Sequence, residues 1–404
     1  VVRFLHTADW QVGMTRRYLA SEAQARFASS RVDVIRRLGE VAVRQGCDFV
    51  LVCGDVFEHA QLTPQTVRRA LEALRAVEVP VYLLPGNHDH LGPLSLWATA
   101  LLAEELPAHV HVLDAPGVHA VAPGVEIVAV PWHGKHPGSD LVAEVVADLP
   151  QGPAPQGTVR VVAAHGAVDV LDQDRRSASA IAVAPLVAAL EAGQIHYVAL
   201  GDRHSRTRVD PAIWYCGAPE PTAWREQDPG DVLVVEVEPA GAARAAVQVT
   251  PHTVATWRFV ALDRRTDCDE DLDALDAELA ALPDKDRTVV RLGLRGTLGL
   301  AQHARLEELL ARHADLLAAL HRPSQHTDLV LAGEDDIADL GLGGFLAAAV
   351  EEIRTVSHEA APTRPGVDGG AAATTDFVPG RPDDADSARD ALALLYRLAS
   401  GGAR

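Results

Sequence analysis

Nine short runs rich in apolar and β-branched residues recur at strand length through the first 250 residues. They lie at 2–6, 49–53, 80–84, 125–130, 159–164, 196–200, 213–216, 232–237 and 245–249. Between them, 22–45 and 64–77 carry apolar residues near the helical period, and Thr63 followed by Pro64 supplies a cap and a first turn for the second. Strand runs alternating with helical patterns build sheets covered by helices.

From Trp257 the pattern changes to a strand (257–262), an acidic helix (269–282), a strand (288–294), a helix (302–320), a strand (328–331) and a helix (343–354). A chain of 404 residues exceeds the usual span of one domain. The expected organisation is a domain at 1–250, a smaller α+β domain at 251–357, a Pro/Gly/Ala/Asp-rich flexible linker at 358–386 and a C-terminal docking helix at 387–404. Leu392, Leu395, Tyr396 and Ala399 fall on one face of that last helix. The run DCDEDLDALDAE at 267–278 resembles a metal site in composition only: Leu272, Leu275 and Leu279 make it an amphipathic helix with a solvated acidic face.

No stretch approaches the roughly 18 uninterrupted apolar residues of a membrane span. Cys47, Cys53, Cys216 and Cys268 form neither a zinc-type pair nor a disulfide framework, so a soluble, cytoplasmic protein is expected. The net charge of −20 sits awkwardly with nucleic-acid binding, which draws on Lys and Arg. Neither region escapes it, with 29 acidic against 20 basic residues in 1–250 and 27 against 16 in 251–404. Binding to DNA would have to rest on a local basic cluster or on a partner. Arg16, Arg17, Arg203, Arg206 and Arg208 form the best such cluster. Trp10 is a candidate for stacking on a base, against the commoner role of packing.

Five of the strand runs end in side chains that bind metals: Asp9, then Asp55, then Asn87 and His88, then His165, then Asp202 and His204. In sheets of this kind the loops beyond the carboxyl ends of the strands converge on one crevice, so residues distant in sequence can meet there. Carboxylate, imidazole and carboxamide oxygen are the ligand set for two divalent ions sharing a carboxylate. Such a pair grips phosphate oxygens and activates water for in-line attack at phosphorus, which makes metal-assisted phosphoester hydrolysis the reaction class.

The segments HTADWQVG (6–13), GDVFEHA (54–60), GNHDH (86–90), AHGAV (164–168) and YVALGDRHSRTRV (197–209) resemble the five motifs of calcineurin-like metallophosphoesterases. Asp-Trp after His-Thr, the Gly-Asp-Val-Phe turn and YCGAPEPTAWRE (215–226) are similar to the SbcD family of DNA-repair exonuclease subunits. The resemblance implies an α+β fold, a four-layer αββα sandwich with a smaller α+β capping domain. It implies that Asp9, Gln11, Asp55 and His204 surround one metal and that Asp55 bridges to a second held with Asn87, His165 and Asp202. His88 would be the catalytic His, oriented by Asp89. DNA and an SbcC-like coiled-coil ATPase are the implied partners, and a homodimer is left open.

Two positions depart from the family pattern. Gln11 stands where the family usually has His, and Asp202 where it has the first His of Gly-His-X-His. The amide is a weaker ligand and the carboxylate a harder one, which favours Mn2+, or Mg2+, over zinc. Two other readings remain open, a small-nucleotide phosphoesterase suited to an acidic surface and a scaffold subunit with a degenerate site.

Overall fold

The computed structural model describes residues 1–171, 179–241, 243–323, 326–332, 345–358 and 391. The chain divides into two compact units, Val1–Phe259 and Val260–Arg404. The expected limit at 250 would cut through a strand of the first unit. The expected linker and most of the C-terminal helix lie outside the described residues.

The first unit contains two six-stranded sheets. In one, β1 (Val2–Thr7), β2 (Phe49–Cys53), β3 (Val81–Leu84) and β4 (Val110–Val112) run parallel, and the hairpin of β11 (Asp231–Ala240) and β12 (Ala243–Thr253) pairs antiparallel to β1. In the other, β6 (Val125–Ala129), β7 (Val159–His165), β8 (Tyr197–Gly201) and β10 (Ile213–Tyr215) are parallel. This second sheet is edged by β5 (Gly117–Ala122) and β9 (Thr207–Asp210), both antiparallel.

Alternation along the strands creates the layers. Phe4, Phe49, Leu51, Tyr82, Leu233 and Val235 join one core with Ile127, Val161 and Tyr197 of the second sheet. Their neighbours Leu5, Val50, Val52, Leu83, Val232 and Val234 point the other way, into a core with Ile35 and Leu38 of α1 (Ser21–Arg44) and Leu71 and Leu74 of α2 (Pro64–Arg75). Both faces of each strand are therefore apolar, as a sheet covered on two sides requires. A short α3 (Ala100–Glu105) adds Leu102 to the α1/α2 side, while α4 (Leu141–Ala147) and α5 (Val183–Glu191) add Val142, Val146, Leu186 and Leu190 beyond the second sheet. The result is the four-layer αββα sandwich. At the start of α2, Thr63 accepts a hydrogen bond from the Thr66 N–H at 3.3 Å, with Pro64 in the first turn.

The second unit is built on β13 (Arg258–Arg265), β14 (Thr288–Gly299), β15 (Ala319–His321) and β16 (Asp328–Ala332), with α6 (Asp269–Ala281), α7 (Leu300–Ala314) and α8 (Phe345–His358). Leu272, Leu275 and Leu279 of α6 are buried against Val290, Leu292, Leu294, Leu306 and Leu309. The acidic face of α6 pairs with α7, Asp269 with Arg305 at 2.7 Å and Asp276 with Arg312 at 2.8 Å. The helix expected over 302–320 ends early. After Ala314 the chain leaves the helix, and Ala319–His321 pairs parallel with β14. Among the described residues, no helix is long and apolar enough to cross a membrane.

Candidate metal centre

Because β1, β2 and β3 are parallel in one sheet and β7 and β8 in the other, five carboxyl ends deliver side chains to one end of the sandwich. The loop after β1 is tied to the loop after β2 by Asp9 N–H to the Gly54 carbonyl at 3.0 Å and Gln11 N–H to the Asp55 carbonyl at 2.9 Å. The two sheets come together here more closely than side chains allow. A Cβ at Gly201 would lie 1.8 Å from the Cys53 carbonyl oxygen, and one at Gly54, whose φ is +91°, would lie 2.1 Å from His165 Nδ1. Six non-glycine residues among those described have positive φ, and four of them are Asp9, Gln11, Asp55 and Asp202. That concentration of sparsely populated backbone at one place marks a site shaped for chemistry and not for stability.

Asp9, Asp55 and His165 are buried and bring one ligand atom each within 4.8 Å of one another. His165 donates Nδ1–H to the Cys53 carbonyl at 2.9 Å, which leaves Nε2 facing Asp55 Oδ1 at 3.4 Å and Asp202 Oδ1 at 3.7 Å. Asn87 Oδ1 lies 2.9 Å from His165 Nε2, and the same atom is 3.1 Å from each Asp55 oxygen. Acceptors crowded in this way need either the amide turned so that its nitrogen donates, or a cation among them. The Asp202 N–H donates to both Asp9 oxygens at 3.2 Å. On the far side, His204 Nε2 lies 3.3 Å from Gln11 Nε2, and Gln11 Oε1 is buried with no hydrogen-bond partner among the described residues.

The electrostatics agree with the geometry. Burial, reinforced by Asp55 and Asp202 and opposed by His204 and His165, pushes the Asp9 carboxyl up to about 6. Burial opposes charge on His165, yet Asp55, Asp202 and Asp9 together outweigh it and raise the imidazole to about 9. Carboxylates held this close in low dielectric call for positive charge, and a divalent cation supplies it. The donor set of carboxylate, imidazole and amide oxygens, with an orphaned acceptor at Gln11, fits divalent ions.

Of the residues expected to act on substrate, His88 is half-buried beside the centre. The His88 N–H donates to Asp55 Oδ1 at 2.9 Å, and His88 Nδ1 donates to the Glu58 carbonyl at 2.8 Å. Asp89 does not orient His88 as expected: its oxygens accept the Gly86 N–H at 2.7 Å and the Phe57 N–H at 3.1 Å. It is buried, pushed up to about 7 by burial and then by Asp55, and braces the loops after β2 and β3. Trp10 is fully buried and donates to Thr7 Oγ1 at 3.0 Å, which makes it packing and not a base platform. Arg17, Arg203 and Arg208 are exposed. Arg16 is partly buried and bonds the Thr222 carbonyl at 3.1 Å, while Arg206 is engaged by Asp231 and by Asp228. Residues without an assigned role in the sequence reading also shape the site. Glu226 and Thr222 hold His204 Nδ1, and Arg31, fully buried, donates to the carbonyls of Trp10 at 2.9 Å and Pro221 at 3.1 Å. The 215–226 motif marks the segment that carries two of them, but only the fold pairs it with His204.

A family model described as Calcineurin-like phosphoesterase matches residues 2–206, and the chain belongs to that family. That family is one of metal-dependent phosphoester hydrolases. Among known proteins, it is 31% identical over 120 residues to the uncharacterized metallophosphoesterase YhaO of Bacillus subtilis, covering 28% of each chain. It is 32% identical over 114 residues to the SbcD component of the nuclease SbcCD of Rhodobacter capsulatus, covering 27% of this chain and 26% of that one. It is 32% identical over 91 residues to the DNA double-strand break repair protein Mre11 of Archaeoglobus fulgidus, covering 22% and 19%. The matches thus span less than a third of the length of these relatives.

Proposed function

We propose that the chain is a two-metal phosphodiesterase that hydrolyses DNA, as nuclease subunit of an SbcCD-like double-strand-break repair complex with a coiled-coil ATPase. The observation that carries this reading is the buried crevice where the carboxylates of Asp9 and Asp55 meet the imidazole of His165 and the amide of Asn87, a donor set suited to divalent ions. The similarity to proteins named SbcD and Mre11 supports the choice of DNA as substrate.

Asp9, Gln11, Asp55 and His204 would hold one ion, and Asp55, Asn87, His165 and Asp202 the other. When bound, the two ions supply positive charge to the phosphate and acidify water for in-line attack. The chain's own residues do the rest. His165 is fixed by the Cys53 carbonyl, and Asp9 is fixed by the Asp202 N–H. His88 spends its Nδ1–H on the Glu58 carbonyl, so only Nε2 is left for substrate. In its protonated form that nitrogen gives a proton to the leaving oxygen. An added carboxylate at Asp202 and an amide at Gln11 favour Mn2+, or Mg2+, over softer ions. Arg17, Arg203 and Arg208 are offered to the DNA backbone, with Arg16 and Arg206 contributing less because the Thr222 carbonyl engages the first and Asp231 and Asp228 the second.

The test is hydrolysis of linear duplex DNA and of bis(4-nitrophenyl) phosphate by the manganese-loaded chain. Hydrolysis of both, abolished by a chelator, is expected. Hydrolysis of the small diester alone would favour a small-nucleotide phosphoesterase, a reading to which the net charge of −20 lends weight. Hydrolysis of neither would leave the degenerate scaffold.

A further inference from the structure

The two imidazoles of the centre are held by different chemistry. His165 leans on a neutral backbone carbonyl, that of Cys53 at 2.9 Å. His204 leans on a carboxylate: its Nδ1 is 3.1 Å from Glu226 Oε1 and 2.8 Å from Thr222 Oγ1. The Thr222 hydroxyl gives its own proton to Glu226 Oε1, so both oxygens present lone pairs to Nδ1, which must carry the hydrogen. Glu226 Oε2 is occupied by the Thr222 N–H at 2.8 Å, and the side chain is 4% exposed, so the carboxylate cannot turn away. The segment is itself pinned, by Arg16 on the Thr222 carbonyl and by Arg31, which also holds the Trp10 carbonyl next to Gln11.

We propose that Glu226 is a positioning residue for the metal position that Gln11 and His204 would share. By taking the His204 Nδ1–H, it fixes Nε2 as the nitrogen offered to the ion and lends the ring a negative charge that the neutral Gln11 does not bring. The inference rests on the two-metal reading above. It accounts for how a site with an amide at residue 11 keeps a competent ligand set: the missing donor strength is supplied from behind His204.

Calorimetric titration of the metal-free full-length chain with manganese tests this, comparing the unaltered chain, Glu226→Gln and Glu226→Gln combined with Gln11→His. The Gln variant keeps the size and one acceptor but removes the charge. The weaker of two manganese-binding events should lose roughly 10–100-fold in affinity, the typical cost of removing such a partner. The stronger event should not move, and the added Gln11→His should restore much of the loss. A merely structural Glu226 would instead lower the metal-free melting temperature and weaken both events alike, which overturns the inference, as does an unchanged titration. Should Glu226→Gln not fold, Thr222→Val must give a smaller loss in the same event. An unaltered chain that binds no manganese overturns the two-metal reading itself, a result separable from the failure of Glu226 alone.

Discussion

His88 meets Asp55 through its backbone, whose N–H binds Oδ1 at 2.9 Å, while its ring is turned to the Glu58 carbonyl. That division makes its role separable by mutation. His88→Ala keeps the N–H and should keep the metal content, yet lower kcat on DNA by about 10²–10⁴, the range for losing a positioned general acid. Metal analysis beside single-turnover kinetics decides it: equal loss of metal and activity would sink the assignment. Asp55→Ala should do the opposite and release both ions, because that carboxylate lies between Asn87, His165 and the His88 backbone. The residues at the strand ends were legible in sequence because each follows a short apolar run, and the chemistry of their side chains is narrow. Asp89 was misread for an equally plain reason. Adjacency to His88 suggests a hydrogen bond between neighbours, but the fold turns the carboxylate inward to the backbone of Gly86 and Phe57. Glu226 escaped notice because its partner lies 22 residues away, across the β9–β10 turn.

Strands covered on both faces were the easiest elements to read, since β2 and β3 are apolar at every position and β7 at all but Arg160 and His165. The errors fall where tertiary pairing overrides local pattern. Leu316, Leu317 and Ala318 extend the apolar pattern of α7, but Leu317 is needed in the core of the second unit and the next residues pair with β14. The short or edge strands β4, β5 and β9 were missed because each draws its identity from a neighbour, and β5 alternates half-buried with exposed positions. The element-scale device that matters most to function is the close approach of the sheets at β2 and β8. Gly201→Ala would drive a Cβ to 1.8 Å from the Cys53 carbonyl, and backbone cannot yield as a flexible side chain can. We expect a loss of at least about 2 kcal/mol in stability, together with weakened metal binding as Asp202 shifts away from Asp9. Chemical denaturation of the metal-free variant measures the first; a loss below half that size would mean the sheets can separate at little cost.

For the whole molecule, the charge of −20 and the buried carboxylates act together, and their pH dependence has a definite sign. Asp9 is pushed up to about 6 and Asp89 to about 7, against an ordinary 3.8. His165 is raised from 6.5 to about 9. In each case the folded state holds a proton that the unfolded chain releases, so folding stability falls as pH rises. For the carboxyls the loss runs from about 4 to about 7, and for His165 from 6.5 to about 9. The self-repulsion of a strongly acidic chain grows in the same direction, but it is common to both metal states. Divalent ions select the deprotonated forms of Asp9 and His165, so their stabilisation grows where the metal-free protein weakens. The gap in melting temperature between manganese-loaded and chelator-treated protein should therefore widen steadily from pH 5 to pH 8.5. Scanning calorimetry at fixed ionic strength and fixed free manganese isolates that gap from the general charge effect. A gap that stays constant or narrows over this range would mean that the carboxylates and His165 do not bind the ions, and the assignment of this crevice as the metal centre would have to be given up.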